Sequence, residues 1–322
     1  MIAHKLKSSK PALATSSPQL LSNLIAKRRQ FFEACTAFRI SHHELLPRLT
    51  IDYYAGYLLF TYYQGCAQER LPSLAEELAV TLAQFDLPFL GAVKKFRPDN
   101  LSHSEAEKFE PELLCGAMPP ERFIVREYDL QFYISFNSGY GTGLFLDIKR
   151  ARQRVRQITK PGDEALNLFS YTGGFSLAAA KAGAARVIEV DSSAHWLRWA
   201  RENQTLNEVT TIRQRKEDAV KFLHKQKDES FDFIICDPPT YSSQKSGARF
   251  TVAQGFEAMQ PDLYRALRPN GLLLASTNCR ELPRGKFFKL FSPRFVLQEE
   301  IPISADFNEA DYLKVGLFRK AG

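Results

Sequence analysis

Two adjacent glycines, Gly173 and Gly174, stand between a short apolar segment and an alanine-rich helical pattern. Glycine has no Cβ, so the backbone of this turn can approach a ligand closely. The free N–H groups at the start of the following helix can hold a carboxylate. Asp191 ends the next strand pattern, where a carboxylate can accept hydrogen bonds from both hydroxyls of a ribose. The spacing predicts a site for a cofactor that contains a nucleoside.

Two other interpretations of these residues stay open at this point. A tight strand-to-helix turn in any α/β protein would use the same glycines, and Asp218 could serve only as a helix N-cap rather than as an acceptor for an adenine amino group. An NAD-type oxidoreductase would use the same crevice and Asp191. It is disfavoured because Tyr171 and Ser176 interrupt the G-x-G-x-x-G fingerprint of dinucleotide sites.

A second candidate site follows the fourth strand pattern, which ends in Asp237-Pro238-Pro239-Thr240-Tyr241. Two prolines after an acidic residue fix a rigid loop at the end of a strand, where a ligand crevice opens. Such a loop can place carbonyl groups and an aromatic ring beside a target base, although Pro-Pro can also serve only as a strand terminator. We therefore take Asp237 and Thr240 as candidate catalytic residues.

The elements that position these residues alternate strictly between strand and helix from Leu166 onward. The predicted strands are Leu166–Phe169, Arg186–Val190, Thr210–Gln214, Phe231–Cys236 and Gly271–Ser276, with helices beginning near Gly174, Ser193, Glu217 and Val252. This alternation indicates a doubly wound parallel sheet that carries ligands at the carboxyl ends of its strands. Two last strands, Phe295–Ile303 and Tyr312–Phe318, predict an antiparallel final hairpin.

The first half of the chain has a different pattern. Residues 1–33 read as a basic tail and a short helix, and residues 34–143 as a small α+β domain with hairpins around Ala55-Gly56 and Asp129-Leu130. The segment from Arg97 to Pro120 is predicted to be a long loop. The catalytic domain is predicted to occupy residues 144–322.

Composition excludes several classes of protein. No apolar stretch approaches the roughly 20 residues of a membrane span, and no signal-peptide core follows the start, so we expect a cytoplasmic protein without a membrane partner. The five cysteines are scattered without a C-x-x-C pair, which argues against a disulfide framework and predicts no metal site. The net charge of +7 fits a polyanionic partner.

In combination, several runs resemble one enzyme family. They are Leu166-Asn-Leu-Phe-Ser-Tyr-Thr-Gly-Gly-Phe175, Val190-Asp191-Ser192, Asp237-Pro-Pro-Thr-Tyr-Ser242 and Thr142-Gly-Leu-Phe-Leu-Asp147. The family is that of the bacterial large-subunit (23S) ribosomal RNA methyltransferases. The runs Thr36-Ala-Phe-Arg39 and Leu46-Pro-Arg-Leu-Thr-Ile-Asp52 are similar to the small domain of its 5-methylcytosine branch. The resemblance covers residues 36 to 318.

The resemblance implies a Rossmann-like class I methyltransferase that uses S-adenosylmethionine. It implies that the cofactor contacts Phe145, Asp147, Asn167, Phe169, Ser170, Tyr171, Thr172, Gly173, Asp191, Ser192, Asp218 and Asp237. The 5-methylcytosine branch usually carries an N-terminal RNA-binding module of the PUA type, and only about 35 residues precede Thr36 here. RNA contacts must then come from elsewhere.

The predicted chemistry of methyl transfer depends on Cys279. Carbon-5 of cytosine is too weak a nucleophile to take a methyl group unaided, and a thiolate adding to the neighbouring ring carbon activates it. The branch places such a cysteine just after the fifth strand, and Cys279 stands there one residue late, with Arg280 beside it to lower the thiol pKa. The Asp237-Pro-Pro-Thr-Tyr-Ser run is closer to the guanine-N7 branch. Cytosine carbon-5 is the leading prediction and guanine (N7 or N2) the alternative.

The RNA surface is predicted on a basic run. Lys149, Arg150, Arg152 and Arg156 lie in a stretch that contains no acidic residue, and helical spacing would place several of them on one face for phosphate contacts. A merely solvated helix is the plainer interpretation of this run. A non-catalytic RNA-binding assembly factor is a further alternative for the whole chain, and a homodimer is left open.

Overall fold

The structure is a computed structural model that describes residues 18–98, 110–139, 141–239, 251–292, 294–308 and 312–322. The predicted tail up to residue 17 and the candidate Thr240 lie outside these ranges. Within them, no helix is both long and apolar enough to cross a lipid bilayer. The same ranges contain no group of three or more His, Cys, Asp or Glu side chains that could hold a metal ion.

The first part of the chain forms a five-stranded sheet. Helix α1 (Pro18–Ala26) and a 3-10 turn (Arg29–Phe31) precede the strands β1 (Ala37–His42), β2 (Leu49–Tyr54), β3 (Tyr57–Tyr62), β4 (Gly91–Phe96) and β5 (Glu112–Gly116), which lie in that order. Strands β3 and β4 are parallel, since a short 3-10 turn (Gln68–Arg70) and helix α2 (Leu71–Ala83) connect them. The helix packs on the sheet through the buried side chains of Leu71, Leu74, Leu78 and Leu82.

The hairpin predicted around Ala55-Gly56 is present, and both residues adopt positive φ, as a tight two-residue turn requires. The prediction of an uninterrupted loop between Arg97 and Pro120 is wrong for Glu112–Gly116, which forms the antiparallel edge strand β5. Its side chains are exposed or half-exposed, so the segment lacks the alternating apolar pattern of a buried strand. Pairing with β4, a non-local contact, makes it a strand.

Strands β6 (Phe123–Glu127) and β7 (Leu130–Ile134) form a separate hairpin at the predicted place. Helix α3 (Lys149–Ile158) follows and contains the basic run. It leads into the second sheet, which is the largest element of the fold.

The second sheet has seven strands in the order β10-β9-β8-β11-β12-β14-β13. The parallel strands are β8 (Glu164–Leu168), β9 (Arg186–Asp191), β10 (Ile212–Lys216), β11 (Phe231–Cys236) and β12 (Leu267–Thr277). The helices that connect or follow them are α4 (Gly174–Lys181), α5 (Ala194–Leu206), α6 (Ala219–His224), α7 (Val252–Ala266) and α8 (Arg284–Leu290). Strand order reverses between β8 and β11, which opens the crevice of a doubly wound sheet there.

Strands β13 (Phe295–Glu300) and β14 (Lys314–Lys320) complete the sheet as an antiparallel hairpin, with β14 inserted beside β12. This confirms the predicted fold class, a doubly wound α/β sheet with an antiparallel ending. Because β14 starts at the end of β12, the residues just before it reach the same edge as the crevice: Thr277 pairs with Lys314.

The small hairpin is fastened to the second sheet's helices. The side-chain oxygen of Asn203 on α5 accepts the Tyr133 N–H at 2.9 Å, and that of Asn207 accepts the Gln131 N–H at 2.9 Å. The first sheet is joined to the second part of the chain by the Arg39 N–H, which donates to Asp306 Oδ2 at 2.8 Å. The two asparagines thus fix β7 to the end of α5, and Asp306 fixes β1 to the loop after β13.

Candidate active site

The loop between β8 and α4 makes a tightly wound turn at the carboxyl end of the central strand. Phe169, Tyr171 and Gly173 have φ angles of 59, 51 and 82°. Non-glycine residues adopt this conformation at a cost, and such residues cluster at functional sites. A Cβ at Gly173 would lie 2.9 Å from Glu189 Oε2 and 3.2 Å from Ala200 Cβ, so the turn requires glycine at this position.

Side chains around the turn fix its shape and leave polar atoms for a ligand. Thr172 Oγ1 donates to the Gly143 carbonyl at 2.6 Å, and Asn167 Nδ2 donates to Ser176 Oγ at 2.9 Å. Asn167 Oδ1 and Ser170 Oγ are buried and have no hydrogen-bond partner among the described residues. Buried polar atoms are nearly always paired, so these two fit a polar ligand in the crevice.

Asp191 lies at the end of β9, where the sequence predicts it. Its carboxylate accepts the Tyr171 N–H at 3.0 Å and the Ser193 N–H at 2.8 Å. Burial raises its pKa, and the two backbone donors oppose that rise. A carboxylate has about four acceptor positions, so two remain for a diol. The neighbouring Ser192 is exposed at the same edge.

Asp218 caps helix α6. Its Oδ1 accepts the Lys221 N–H at 2.9 Å, which is the N-cap role that the sequence leaves open. The side chain is exposed and follows β10 at the same edge as Asp191. Capping uses one carboxylate oxygen, and the other is compatible with the predicted adenine contact.

The segment from Thr142 to Asp147 forms one side of the crevice. The Phe145 ring is 50% exposed and lies 5.2 Å, centroid to centroid, from the ring of Tyr171. Asp147 Oδ2 accepts the Tyr312 hydroxyl at 2.9 Å, and burial raises the Asp147 pKa. The structure thus brings Phe145 to the glycine turn, and it joins Asp147 to Tyr312 from the segment before β14.

Asp237 lies at the end of β11, beside the switch point. Its Oδ1 accepts the Ser276 hydroxyl at 2.6 Å. Burial raises the Asp237 pKa to about 6, with a further contribution from the nearby charge of Asp147, while Ser276 opposes the rise. The Asp147 and Asp237 carboxylates therefore lie near enough for their charges to interact, and burial holds the Asp237 pKa above its usual range.

Cys279 lies two residues past the end of β12, and its thiol is buried rather than exposed as an activated nucleophile. Its side chain is 8% exposed and belongs to the apolar cluster that includes Leu282 and Phe287. Its Sγ donates to Glu281 Oε2 at 3.4 Å. Burial and Glu281 raise the thiol pKa, so the expectation that Arg280 lowers it is wrong.

The basic run on α3 is largely internal, which corrects two predicted RNA contacts. Lys149 is fully buried: its Nζ donates to the Ala37 carbonyl at 3.0 Å and lies 3.7 Å from Asp306 Oδ2. Arg152 is 4% exposed and makes a bidentate pair with Glu127 at 2.6 and 2.7 Å. Neither side chain can reach a phosphate.

The other two residues of the run are closer to solvent. Arg156 pairs with Asp129 at 2.7 Å, and Arg150 is half-exposed. The run lacks acidic residues in sequence, but acidic residues from β6, from the β6–β7 turn and from the loop after β13 supply its partners in space. The sequence of the run alone therefore predicts more exposed positive charge on α3 than the structure has.

Three side chains support the crevice in ways that the sequence analysis did not predict. Ser276 and Tyr312 were named there only as ends of strands, and Arg152 was named only as an RNA contact. Arg152 Nη2 also donates to the Phe145 carbonyl at 2.8 Å and so holds the exposed ring in position. The only sequence signal for Ser276 and Tyr312 is their place at the end of β12 and before β14. Their function depends on contacts across the sheet, which a single sequence does not display.

Comparisons with known proteins agree with this geometry. The profile of a family described as S-adenosylmethionine-dependent methyltransferases matches residues 37–301. The Bacillus subtilis strain 168 protein YwbD, provisionally named a ribosomal RNA large subunit methyltransferase, is 30% identical over 321 residues, covering 93% of this chain and 79% of that protein. The ribosomal RNA large subunit methyltransferase I of Shewanella denitrificans is 30% identical over 304 residues, covering 88% and 74%.

Solved structures show the same architecture. SMU.776, provisionally described as a methyltransferase and solved with S-adenosylhomocysteine (SAH), aligns with a TM-score of 0.78 at 25% identity, covering 94% of this chain and 80% of that chain. The SAM-dependent methyltransferase of Agrobacterium tumefaciens aligns with a TM-score of 0.64 at 19% identity, covering 89% and 90%. The second similarity concerns the fold alone.

Proposed function

Because this chain belongs to the S-adenosylmethionine-dependent methyltransferase family, we propose that it methylates a guanine base of large-subunit ribosomal RNA. The enzyme class and the cofactor follow from the family: the chain is a methyltransferase that uses S-adenosylmethionine. The RNA substrate is supported by the names of the relatives, which are ribosomal RNA large subunit methyltransferases. The net charge of +7 is consistent with a polyanionic substrate.

The residues at the crevice suit the parts of this cofactor. We assign the ribose hydroxyls to the two open acceptor positions of Asp191 and the adenine amino group to Asp218. Asn167 and Ser170 offer unpaired buried oxygens to its methionine portion. When bound, the cofactor supplies a methyl group on a positively charged sulfur, and Phe145 covers it from the exposed side.

The observation that carries the choice of base is the position of the Cys279 thiol. Transfer to cytosine carbon-5 needs a thiolate that adds to the ring. In this chain the Cys279 thiol is buried among apolar side chains, and its pKa is raised by burial and by Glu281. Cys236, the other cysteine near the crevice, is fully buried within β11, and burial raises its pKa as well.

A guanine nitrogen needs no such adduct. The ring nitrogen N7 carries a lone pair, so holding it in line with the methyl group supplies much of the rate. Asp237 stands at the switch point with one carboxylate oxygen bonded to Ser276. Its second oxygen is placed to accept a hydrogen bond from an amino group of the base, and the Pro238-Pro239 turn keeps it there.

Cytosine carbon-5 remains the second candidate, on one specific observation. Cys279 is two residues past β12, at the same edge of the sheet where Ser276 bonds Asp237. For this route the loop that contains the exposed Arg280 and Glu281 would have to move so that the thiol reaches the crevice. This route requires a conformational change that the guanine route does not need.

The test uses ribosomal RNA from a strain that lacks the gene, the purified protein and S-adenosylmethionine with an isotopically labelled methyl group. After digestion to nucleosides, mass spectrometry is expected to find the label in a methylated guanosine. RNA that carries 5-fluorocytosine should form no covalent adduct. Label in 5-methylcytidine together with a trapped adduct would instead establish the second candidate, and absence of any label would refute both.

A further inference from the structure

A continuous row of aromatic and cationic side chains leads from the acceptor side of the crevice onto the first sheet. It begins in the loop after β12 and ends beside β3. We call it the aromatic–arginine row, and its members in spatial order are Arg280, Tyr312, His42, His43, Tyr63 and Arg48. It joins residues from both sheets, which no single sequence motif connects.

Each member contacts the next. The Arg280 guanidinium lies 5.3 Å from the Tyr312 ring centroid, and the Tyr312 and His42 rings are nearly parallel at 6.5 Å. The His42 and His43 rings follow at 4.9 Å. The row ends with His43 and Tyr63 at 6.0 Å and with the Arg48 guanidinium 5.2 Å from the Tyr63 ring.

A partly buried ion pair orients the middle of the row. Arg39 makes a bidentate pair with Asp52 at 2.7 and 2.9 Å, and its Nη1 lies 2.7 Å from His42 Nδ1. Arginine can only donate, so His42 Nδ1 accepts and its ring is fixed in plane. Phe307 packs against both, 4.2 Å below the Arg39 guanidinium and 5.7 Å from the His42 ring.

The solvent exposure of the side chains in the row indicates that they bind a ligand rather than only fill a core. Arg280 and Arg48 at the two ends are exposed, and Tyr312, His43 and Tyr63 are half-exposed. His42 is mostly buried and links the two halves. Side chains that only filled the core would be covered, as the nearby Phe38 and Phe60 are.

The chemistry of the row fits single-stranded RNA. Unpaired bases stack on aromatic faces and arginine planes, while guanidinium groups contact the phosphates between them. A duplex would hide its bases and could use only the charges. The row also starts where Tyr312 bonds Asp147 of the crevice, so nucleotides on it would be continuous with a base in that crevice.

We propose that the aromatic–arginine row binds unpaired RNA nucleotides next to the target base. This inference rests on the proposed RNA substrate and goes beyond it, since it assigns the first sheet a part in substrate binding. It also replaces the basic helix α3 as the expected RNA contact, because Lys149 and Arg152 are internal.

The test measures binding of the full chain to a single-stranded RNA of about 12 nucleotides, within the range of known single-strand sites, and to the same sequence as a duplex. Tyr63→Leu keeps apolar volume but removes the aromatic face, so we expect about 5- to 100-fold weaker binding of the single strand. Arg48→Gln should lower the slope of log affinity against log salt by about one contact. Duplex binding should be weaker from the start.

Two matched controls lie at the opposite end of the second sheet. Tyr264 forms a similar pair, with Lys320 Nζ 4.6 Å from its ring, and the exposed Arg319 donates to a backbone carbonyl as Arg48 does. Tyr264→Leu and Arg319→Gln should leave RNA binding unchanged. All four variants should bind S-adenosylmethionine with wild-type affinity, which shows that they are folded.

The outcomes separate this inference from the function on which it rests. If the wild-type protein methylates ribosomal RNA but Tyr63→Leu and Arg48→Gln bind the single strand as wild type does, the row is refuted and the proposed function stands. Equal losses in the control pair, or equal binding of duplex and single strand, also overturn the row. If wild type transfers no methyl group to ribosomal RNA, both proposals fall.

Discussion

The two sides of the crevice are built from different contacts. The cofactor wall, from Asn167 to Gly173 with Asp191, is shaped by backbone: two positive-φ residues, a required glycine and N–H groups that hold the carboxylate. The acceptor wall, Asp237 with the loop from Asn278 to Glu281, depends on side chains from other elements. Ser276 bonds Asp237, and Lys314 Nζ donates to the Cys279 carbonyl at 2.6 Å.

This difference explains why a motif is informative on one side and ambiguous on the other. A glycine turn followed by a helix produces its geometry locally, so its sequence and its function coincide. The chemistry of a cysteine depends on what surrounds it, and Glu281 with the apolar cluster decides it here. Specificity for the base therefore lies in the wall that the sequence describes less well.

We expect the largest effect, on the free energy of unfolding, from substitution of Arg152, which lies beneath the cofactor wall. Replacing it by alanine leaves Glu127 buried without its partner and frees the Phe145 carbonyl. Breaking a buried pair typically costs about 3–5 kcal/mol, so urea unfolding should show a loss of that size. The matched control is Arg156→Ala, whose partially exposed pair with Asp129 should cost about 1 kcal/mol or less. Equal losses in the two variants would contradict the internal role of α3.

The next effect concerns Asp191 within the cofactor wall. Asp191→Ala removes the acceptor for the ribose hydroxyls, and hydrogen bonds to a charged group contribute about 1.5–3 kcal/mol. Titration calorimetry should show affinity for S-adenosylmethionine falling by roughly ten- to a hundredfold. Asp228→Ala is the control: this exposed carboxylate precedes β11 at the opposite edge of the sheet, so the variant should bind nearly as wild type does. Tight NAD binding by the wild-type protein would be incompatible with the assignment.

On the acceptor wall, we expect the titration of Asp237 to have a smaller effect, on how the free energy of unfolding depends on pH. Its pKa is raised to about 6, so the folded protein holds this proton more tightly than the unfolded chain does. The free energy of unfolding should therefore decrease as pH rises from about 4 through about 6, by an amount on the order of 1 kcal/mol for this group. Asp237→Asn, which does not titrate, should show a shallower decrease.

Part of that pH dependence should remain in the variant, because burial also raises the pKa values of Asp147, Glu189 and Asp191. A pH profile of the Asp237→Asn variant that superimposes on the wild-type profile would show that the Asp237 carboxyl is not perturbed in the folded state. Thermal or urea unfolding at closely spaced pH values is sufficient to distinguish the two results.

Much of the fold could be predicted because its signals are local. Strands β8 to β12 alternate with helices, and the apolar runs locate them within about two residues of their observed ends, apart from the longer β12. Strand β5 was missed since it is an exposed edge strand, made by pairing with β4. Asp191 and Asp237 lie where parallel strands end, so topology alone brings them to one edge.

The predictions that were wrong concern side chains whose environment is set by residues distant in sequence. Lys149 and Arg152 look like a solvated basic face until Asp306 and Glu127 are placed against them. The pKa of the Cys279 thiol was expected to fall beside Arg280, yet burial dominates. Charge and thiol reactivity are properties of the folded environment, whereas glycine turns and strand periodicity are properties of the chain.

Methyl transfer by this chain is expected to need no thiol adduct, and the Cys279→Ala variant is the decisive test. The variant should bind S-adenosylmethionine as wild type does and should methylate guanosine in ribosomal RNA with an unchanged kcat, measured by transfer of a labelled methyl group under saturating substrate. Loss of turnover in this variant, with cofactor binding and folding intact, would show that transfer requires the thiol and would establish Cys279 as the nucleophile.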